Sequence, residues 1–369
     1  LRRHYHQVMF TSGAPFDRNL GIPGAELAGS HSATEFVAWY NGHPDFAEHQ
    51  FDLSQESVAV VGVGNVAMDV ARILCKTHSE LAVTDMADYA LDALKNSQVK
   101  NVYILGRRGP AQAAFTPPEI KEMGEFEDAD VTVPVDEAAL DAASAAALEA
   151  SGDKNAQKNV AYIDEYAARE VSGKSRLLTI RFLVSPTELL GEGGRLTGIK
   201  IVKNKLVEGD DGSIRPQATD DEEIIPVGMV FRSVGYLGQP LPEIPYDDRD
   251  GTIRNSAGRV EAEDGSPVLG LYTAGWIKRG PTGVIGTNKT CAQETVGCMV
   301  EDLAAGQINI PEDSSIEGVQ KLVAGRQPES ITYPEWLRID AEETSRGEAE
   351  GRPRVKFTNI AEMIEVAKK

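Results

Sequence analysis

The chain has 369 residues, which is enough for two domains with separate hydrophobic cores. Its formal net charge of −20 argues against non-specific nucleic-acid binding, and no apolar stretch approaches membrane-spanning length. The three cysteines include no C-x-x-C pair, so the sequence predicts neither a disulfide framework nor a redox-active dithiol. We expect a protein of a reducing, intracellular compartment, most simply the bacterial cytoplasm, without a metal site.

The most informative segment joins a predicted strand at residues 57–61 to a predicted helix. It has the pattern G-x-G-x-x-A, with Gly62, Gly64 and Ala67 at the three small positions. Gly62 permits a tight turn, Gly64 lets the backbone approach a pyrophosphate, and Ala67 allows close packing of helix on strand. The helix N-terminus offers N–H donors and a positive dipole end to the anion. The segment predicts a dinucleotide-binding turn, and the alternative is a plain tight turn.

The following strand, at residues 99–105, indicates which dinucleotide binds. It is followed by Arg107 and Arg108, with no carboxylate at the position where an NAD-specific fold places one. A guanidinium group can bind two phosphate oxygens at once, so the two arginines predict a site for the 2′-phosphate of NADP. The alternative is a solvated loop with ordinary surface arginines.

The remaining elements are predicted from periodicity and turn residues. We expect an inserted helix at residues 76–98 and helices within residues 131–175. Residues 176–207 predict an antiparallel meander, residues 210–223 an acidic loop, and residues 224–234 a strand. Another strand ends at Gly275, a glycine-rich loop follows, and a long helix runs from about Gly283 to Leu303.

Three ordered motifs together resemble adrenodoxin reductase and the bacterial NADPH–ferredoxin reductases. They are the run G-V-G-N-V-A-M-D-V-A-R at residues 62–72, G-R-R-G-P at residues 106–110 with A-A-F-T at 113–116, and G-W-I-K-R-G-P-T-G-V-I-G-T-N at residues 275–288. The resemblance implies an α/β flavoprotein with two Rossmann-like dinucleotide-binding domains, the NADP domain being inserted in the FAD domain. It also implies FAD and NADPH/NADP+ as cofactors.

The resemblance also implies roles for individual residues. Asn65 and Val66 would contact the NADP pyrophosphate, and Glu119 the same nucleotide. Glu122 would lie near the flavin as the acidic catalytic group, with a pKa raised if it is buried; its alternative is a surface glutamate. The residues that would contact FAD lie in the third motif: Gly275, Trp276, Gly283, Val284 and Ile285.

The domain plan that follows has three parts. Residues 1–20 would be a remnant of the FAD-binding domain, residues 21–233 the NADP-binding domain with the meander, and residues 234–369 the C-terminal part of the FAD-binding domain. The family's N-terminal glycine turn for the FAD pyrophosphate is not found in this sequence. We therefore expect the FAD domain to be N-terminally truncated and the chain, as it begins at Leu1, to hold FAD weakly.

The predicted activity is that of an NADPH–ferredoxin oxidoreductase, which passes a hydride from NADPH to FAD and then single electrons to a ferredoxin or adrenodoxin-type iron–sulfur protein. Because ferredoxins are usually acidic, we expect a local basic face, formed by Arg176, Arg181, Lys200, Lys203 and Lys205. The alternatives are the reductase subunit of a glutamate-synthase-like system and an NADPH-binding protein without turnover. The sequence predicts no particular oligomeric state.

Overall fold

The computed structural model describes residues 1–209, 213–283 and 285–369, with the side chain of Ile285 left aside. Among these residues the strands are β1 (Val8–Phe10), β2 (Phe16–Asp17), β3 (Ser30–Ser32), β4 (Ser57–Val61), β5 (Asn101–Leu105), β6 (Ala129–Thr132), β7 (Arg176–Arg181), β8 (Val184–Glu192), β9 (Arg195–Glu208), β10 (Ile214–Ile225), β11 (Met229–Arg232), β12 (Tyr236–Leu237), β13 (Tyr246–Asp247), β14 (Thr252–Ile253), β15 (Asn255–Ser256), β16 (Arg259–Glu261) and β17 (Pro267–Thr273).

The α-helices of the described residues are α1 (Ala33–Tyr40), α2 (Asn65–Cys75), α3 (His78–Ala82), α4 (Asp88–Lys95), α5 (Pro117–Met123), α6 (Val135–Ala138), α7 (Ala142–Ser151), α8 (Lys154–Ala168), α9 (Trp276–Arg279), α10 (Ile285–Ala304), α11 (Ile316–Arg326), α12 (Tyr333–Glu350) and α13 (Ile360–Lys368). The chain divides into two compact units. Unit 1 comprises Leu1–Arg18 and Gly235–Trp336, and unit 2 comprises Asn19–Val234 and Leu337–Lys369.

Unit 2 is built on a six-stranded sheet with the order β3-β11-β4-β5-β7-β6. Every neighbouring pair in it is parallel. The central strand β4 is buried on both faces, because its residues alternate between two cores. Val58 and Val60 pack in the core that the helices cover, while Ala59 and Val61 pack in a second core together with residues of the meander such as Ile199 and Ile201.

The antiparallel meander of unit 2 has the strand order β10-β9-β8 and differs in extent from the prediction. Residues 176–181 do not belong to it: they form β7, which pairs in parallel with β5 and β6. Most of the predicted acidic loop is instead strand β10, which pairs with β9, while residues 210–212 lie outside the described residues. The predicted strand at 224–234 divides between the end of β10 and β11, and the inserted helix is two helices, α3 and α4.

Unit 1 contains a four-stranded sheet with the order β1-β17-β16-β15. β1 pairs in parallel with β17, and the other pairs are antiparallel. Its core is small and includes Ile253, Val260, Leu271 and Ile277. The long helix of this unit begins at Ile285 and extends to Ala304, close to the predicted range.

The last 33 residues depart from the predicted domain plan, which assigned residues 234–369 together. Leu337–Lys369 belongs to unit 2. The reason is a buried arginine: Arg352 donates from Nε to the carbonyl oxygen of Thr84 at 3.0 Å, from Nη1 to Asp88 at 2.6 Å, and from Nη2 to the carbonyl oxygen of Met86. These partners lie next to α3 and α4, so the C-terminal segment is bound to the part of unit 2 that follows α2.

Candidate cofactor-binding sites

The predicted phosphate-binding turn lies between β4 and α2 in unit 2. Gly62 has a φ of +130°, and a Cβ there would lie 2.1 Å from the carbonyl oxygen of Ser233. Gly64 precedes the helix and has open space where a Cβ would be, and no side chain caps the helix. Ala67 is fully buried. The first turn of α2 therefore offers backbone N–H donors and the positive end of the helix dipole to an anion.

Asn65 and Val66 begin α2, as expected, but the Asn65 side chain has a structural contact as well. Its Oδ1 accepts a hydrogen bond from the backbone N of Thr116 at 2.9 Å. Nearby, the carbonyl oxygen of Val63 accepts one from the N of Ala114 at 3.0 Å. These two bonds join the glycine turn to the segment that precedes α5. A pyrophosphate contact from Asn65 or Val66 would therefore come from the backbone of the helix start.

The two arginines follow the end of β5, the strand next to β4 in the sheet. Arg107 and Arg108 are both exposed, and none of the ion pairs found in the described parts of the chain involves either of them. Gly109 follows, and its N–H donates to Gln112 Oε1 at 3.1 Å. Two exposed cations without carboxylate partners next to a phosphate-binding turn are suited to a second phosphate.

Arg72, on α2, forms ion pairs with both predicted site glutamates, Glu119 and Glu122. Its guanidinium donates to Glu122 at 3.0 Å, and it also pairs with Glu119 and with Asp69. Lys76 contacts the other oxygen of Glu122 at 3.0 Å. The sequence reasoning did not identify Arg72, although its spacing of three residues from Asp69 on one helix was a readable signal.

The electrostatics of this group, which we call the Arg72 cluster (Asp69, Arg72, Lys76, Glu119 and Glu122), correct one expectation. Burial alone would raise the pKa of Glu122, but hydrogen bonds and charges from Lys76 and Arg72 outweigh it and hold that pKa below its usual value. The expected rise is therefore wrong. Burial does raise the pKa of Asp69, despite its contact with Arg72.

The glycine-rich loop of unit 1 follows β17 and surrounds α9. Gly275, Gly280 and Gly283 all have positive φ, near +76° to +80°. At Gly275 and Gly280 a Cβ would meet open space, whereas at Gly283 it would lie 2.3 Å from Thr287 Oγ1. The backbone N of Gly275 donates to Cys291 Sγ at 3.3 Å, so the loop is tied to α10. Val284 lies outside the described residues, and for Ile285 the structure gives only its place at the start of α10.

Trp276, at the start of α9, forms one side of an aromatic pair. Its ring stacks on Tyr236 with centroids 6.0 Å apart and planes 3° apart. The indole Nε1 is buried and has no hydrogen-bond partner among the described residues, and the same holds for Nε of Arg279. Buried donors without partners are rare in native proteins, so a bound group with acceptor atoms fits this loop. Tyr236 was not predicted, and no sequence signal marks it.

Three of the five residues of the predicted basic face for an iron–sulfur partner pair with acidic residues. Arg181 is nearly buried and pairs with Glu137 at 2.7 Å and Glu223 at 2.8 Å. Lys200 pairs with Glu222, and Lys203 pairs with Asp136. These carboxylates come from β10 and α6, so Arg181, Lys200 and Lys203 each have a compensating charge from the chain itself.

No family model matches the chain. The chain is 42% identical to NADPH-ferredoxin reductase FprA of Mycobacterium tuberculosis (strain ATCC 25618 / H37Rv), over 99% of its own length and 79% of that protein. It is 38% identical to the mitochondrial NADPH:adrenodoxin oxidoreductase of Salvelinus fontinalis, over 100% of its length and 74% of that protein.

Solved structures agree with these sequence relationships. A structure of Mycobacterium tuberculosis FprA in complex with NADPH matches all of this chain and 80% of that chain, with a TM-score of 0.90 and 40% identity. The expected α/β fold with two dinucleotide-binding domains is confirmed. Within the described residues, no helix is both long enough and apolar enough to cross a membrane. With 42% identity over most of both proteins, the chain belongs to the family of NADPH–ferredoxin reductases and adrenodoxin reductases.

Proposed function

We propose that this protein is an FAD-dependent NADPH–ferredoxin oxidoreductase, which moves electrons from NADPH to a ferredoxin or adrenodoxin-type iron–sulfur protein. The observation that carries the proposal is the arginine pair, exposed and without carboxylate partners beside a glycine turn, in a chain 42% identical to an NADPH-ferredoxin reductase. FAD, when bound, accepts a hydride and releases electrons one at a time. The chain itself positions the two cofactors and sets the charge around them.

In unit 2, the proposed nucleotide site combines three elements. The start of α2, at Gly64, Asn65 and Val66, binds the pyrophosphate with backbone N–H groups. Arg107 and Arg108 bind the 2′-phosphate through their guanidinium groups. Glu119 contacts the nucleotide from the start of α5, where Arg72 already holds its carboxylate.

In unit 1, the proposed flavin site is the loop around α9. Gly275 and Gly280 leave space for the close approach of a planar ring system, and Trp276 offers a buried N–H donor. Gly283 completes the site before α10, whose N-terminus favours negative charge on a bound group. The predicted flavin contacts of Val284 and Ile285 stay predictions, since Val284 and the side chain of Ile285 lie outside the described part of the chain. In unit 2, Glu122 is proposed as an ionised group that stays a carboxylate at neutral pH because Arg72 and Lys76 contact it.

The proposal is tested by the visible spectrum of the purified protein. Because the chain is expected to hold FAD weakly, the test is made with added FAD, and we expect a flavin absorption band that bleaches on titration with NADPH and recovers when an oxidised ferredoxin is added. NADH should bleach it far less at the same concentration. A protein that carries flavin but is not reduced by NADPH would contradict the proposal, and so would reduction with no preference between NADPH and NADH. Location in the cytoplasm stays a prediction.

A further inference from the structure

We infer that Asn204, on the middle strand of the meander, is a positioning residue that sets the preference for a 2′-phosphorylated nucleotide by fixing the backbone of Arg107 and Arg108. The inference rests on the proposed role of those two arginines. Asn204 would act without contacting the nucleotide, so the meander would contribute to the selection of NADP over NAD.

The segment that carries the arginines is held mainly from the meander side. At its start, Gly106 N donates to the carbonyl oxygen of Arg181, and Val184 N donates to the carbonyl oxygen of Gly106, both at 2.9 Å. At its centre, Leu183 N donates to the carbonyl oxygen of Arg108 at 3.1 Å. The backbone of the arginine pair is therefore set by the residues that connect β7 to β8.

Leu183 has an uncommon backbone conformation at this point. Its φ is +56°, in the left-handed region that residues with a Cβ rarely adopt. Such a conformation persists only where surrounding contacts favour it, and it is concentrated at functional sites. In this conformation Leu183 forms two backbone hydrogen bonds. Its N–H donates to the carbonyl oxygen of Arg108, and its carbonyl oxygen accepts a hydrogen bond from the N of Asn204 at 2.7 Å.

Asn204 closes this arrangement with its side chain. The side chain is almost wholly buried, and its Nδ2 donates to the carbonyl oxygen of Arg107 at 2.9 Å and to Ser185 Oγ at 2.8 Å. The carbonyl oxygen of Arg107 thus accepts a hydrogen bond from Asn204, and that of Arg108 accepts one from Leu183, whose own carbonyl oxygen is bonded to Asn204. Because the amide is neutral, it fixes the arginine backbone without altering the charge that a phosphate meets.

The effect on selection follows from the geometry of guanidinium–phosphate pairs. Such a pair depends on the direction of the planar group, so a displaced backbone weakens it more than it weakens the rest of the nucleotide site. The start of α2, which binds the other phosphates, does not depend on Asn204. Loss of the amide should therefore reduce binding of 2′-phosphorylated ligands and leave binding of unphosphorylated ones nearly unchanged.

The experiment compares 2′,5′-ADP with 5′-AMP by calorimetry on the intact protein, so that no turnover is needed. In Asn204→Leu, the ratio of the two affinities should fall about three- to tenfold, the size expected when a buried carbonyl loses its donor. The affinity for 5′-AMP should change less than about twofold. If Asn204→Leu does not fold, Asn204→Ala gives the same comparison.

Two control variants separate positioning from general stability. Ser185→Ala removes the other partner of the amide but leaves the bond to Arg107, so its ratio should match wild type. Asn159 is a buried asparagine of α8 whose Nδ2 holds the carbonyl oxygen of Phe115 at 2.8 Å. Asn159→Leu should lower the melting temperature about as much as Asn204→Leu while leaving the ratio unchanged.

The paired variant Arg107→Ala with Arg108→Ala tests the underlying site assignment. If it abolishes the preference and Asn204→Leu does not change it, the proposed arginine site stands and the positioning role is overturned. If the paired variant keeps the preference, the arginine site itself is wrong, and the inference falls with it. A fall in Asn204→Leu that Asn159→Leu reproduces would also overturn the positioning role.

Discussion

At the scale of single residues, Glu122 illustrates how neighbours decide the state of a carboxylate. Its side chain is partly exposed, and Arg72 and Lys76 approach its two oxygens at 3.0 Å each. The lowered pKa means that the folded protein favours the ionised form. Its contribution to stability is therefore present above the usual pKa of 4.5 and is lost as the pH falls through the lower, folded-state pKa.

We predict that Glu122→Gln lowers the free energy of unfolding at neutral pH, and that its difference from wild type shrinks as the pH falls below 4.5. Urea denaturation at several pH values measures this difference. Glu125→Gln is the control, since Glu125 pairs only with the exposed Lys121 and should show a small difference at every pH. A difference that stays constant into the acid range would contradict the assignment.

Sequence patterns indicate the residues of the two proposed sites more readily than the contacts of those residues. The glycines and the arginine pair are marked by local spacing, because the turn and the strand that position them are contiguous in the chain. The partners of these residues are distant in sequence: Thr116 for Asn65, Tyr236 for Trp276, and Asn204 for Arg107. Such pairs arise from the packing of separate elements, which local patterns do not encode.

At the scale of elements, the turn between β4 and α2 contains two glycines with different roles. Gly62 is required by the fold, because its φ is positive and a Cβ would collide with the carbonyl oxygen of Ser233. Gly64 is free of both constraints. The space beside it is needed only if a phosphate group approaches the helix start.

We therefore predict opposite results for two matched substitutions. Gly62→Ala should lower the free energy of unfolding by at least about 1 kcal/mol, because it adds strain at a positive φ. Gly64→Ala should change it by less than about 0.5 kcal/mol but weaken NADP+ binding about tenfold. Thermal melting and calorimetric titration measure the two effects, and equal NADP+ affinity in Gly64→Ala and wild type would argue against a pyrophosphate at this turn.

The C-terminal segment depends on Arg352, which is buried while its carboxylate partner Asp88 is largely exposed. We predict that Arg352→Met lowers the free energy of unfolding by about 2–3 kcal/mol, mainly because the carbonyl oxygens of Thr84 and Met86 lose their donor. Arg346→Met, which removes a partly exposed arginine of α12, should lower it by less than about 1 kcal/mol. Urea denaturation of both variants makes the comparison, and equal losses would show that Arg352 acts only as a surface charge.

Sequence patterns predict some strands but not their pairing partners, and they miss others, for physical reasons. A period of two residues reveals that β7 is a strand, but the choice of β5 and β6 as parallel partners depends on contacts far away in sequence. Strand β10 was taken for a loop because acidic residues are unfavourable in most strands. Here its backbone pairs with β9, and its glutamates have partners in Lys200 of β9 and Arg181 of β7.

At the scale of the whole molecule, the two units have separate cores, and the proposed flavin and nucleotide sites lie in different units. Substitutions in one unit should therefore change one ligand only. We predict that Trp276→Ala reduces the flavin retained per chain while 2′,5′-ADP affinity stays within about twofold of wild type. The paired variant of Arg107 and Arg108 should do the reverse, with NADPH preference falling at least about tenfold.

Flavin content by absorbance and nucleotide affinity by calorimetry provide the two measurements on each variant. Trp276→Phe serves as the comparison for ring packing, since it keeps an aromatic ring but lacks the indole N–H and the fused five-membered ring. Loss of 2′,5′-ADP binding in Trp276→Ala would contradict the separation of the sites.

The attachment of Leu337–Lys369 to unit 2 has a consequence for protein synthesis. The ribosome completes Asn19–Val234 well before it reaches Arg352, because Gly235–Trp336 must be made in between. At about 5–20 residues per second, the synthesis of Gly235 to Arg352 lasts roughly 6 to 24 s. Until Arg352 has been synthesised, the carbonyl oxygens of Thr84 and Met86 lack the hydrogen-bond donor that they have in the folded protein. Residues Asn19–Val234 of unit 2 are therefore synthesised before the segment that carries Arg352.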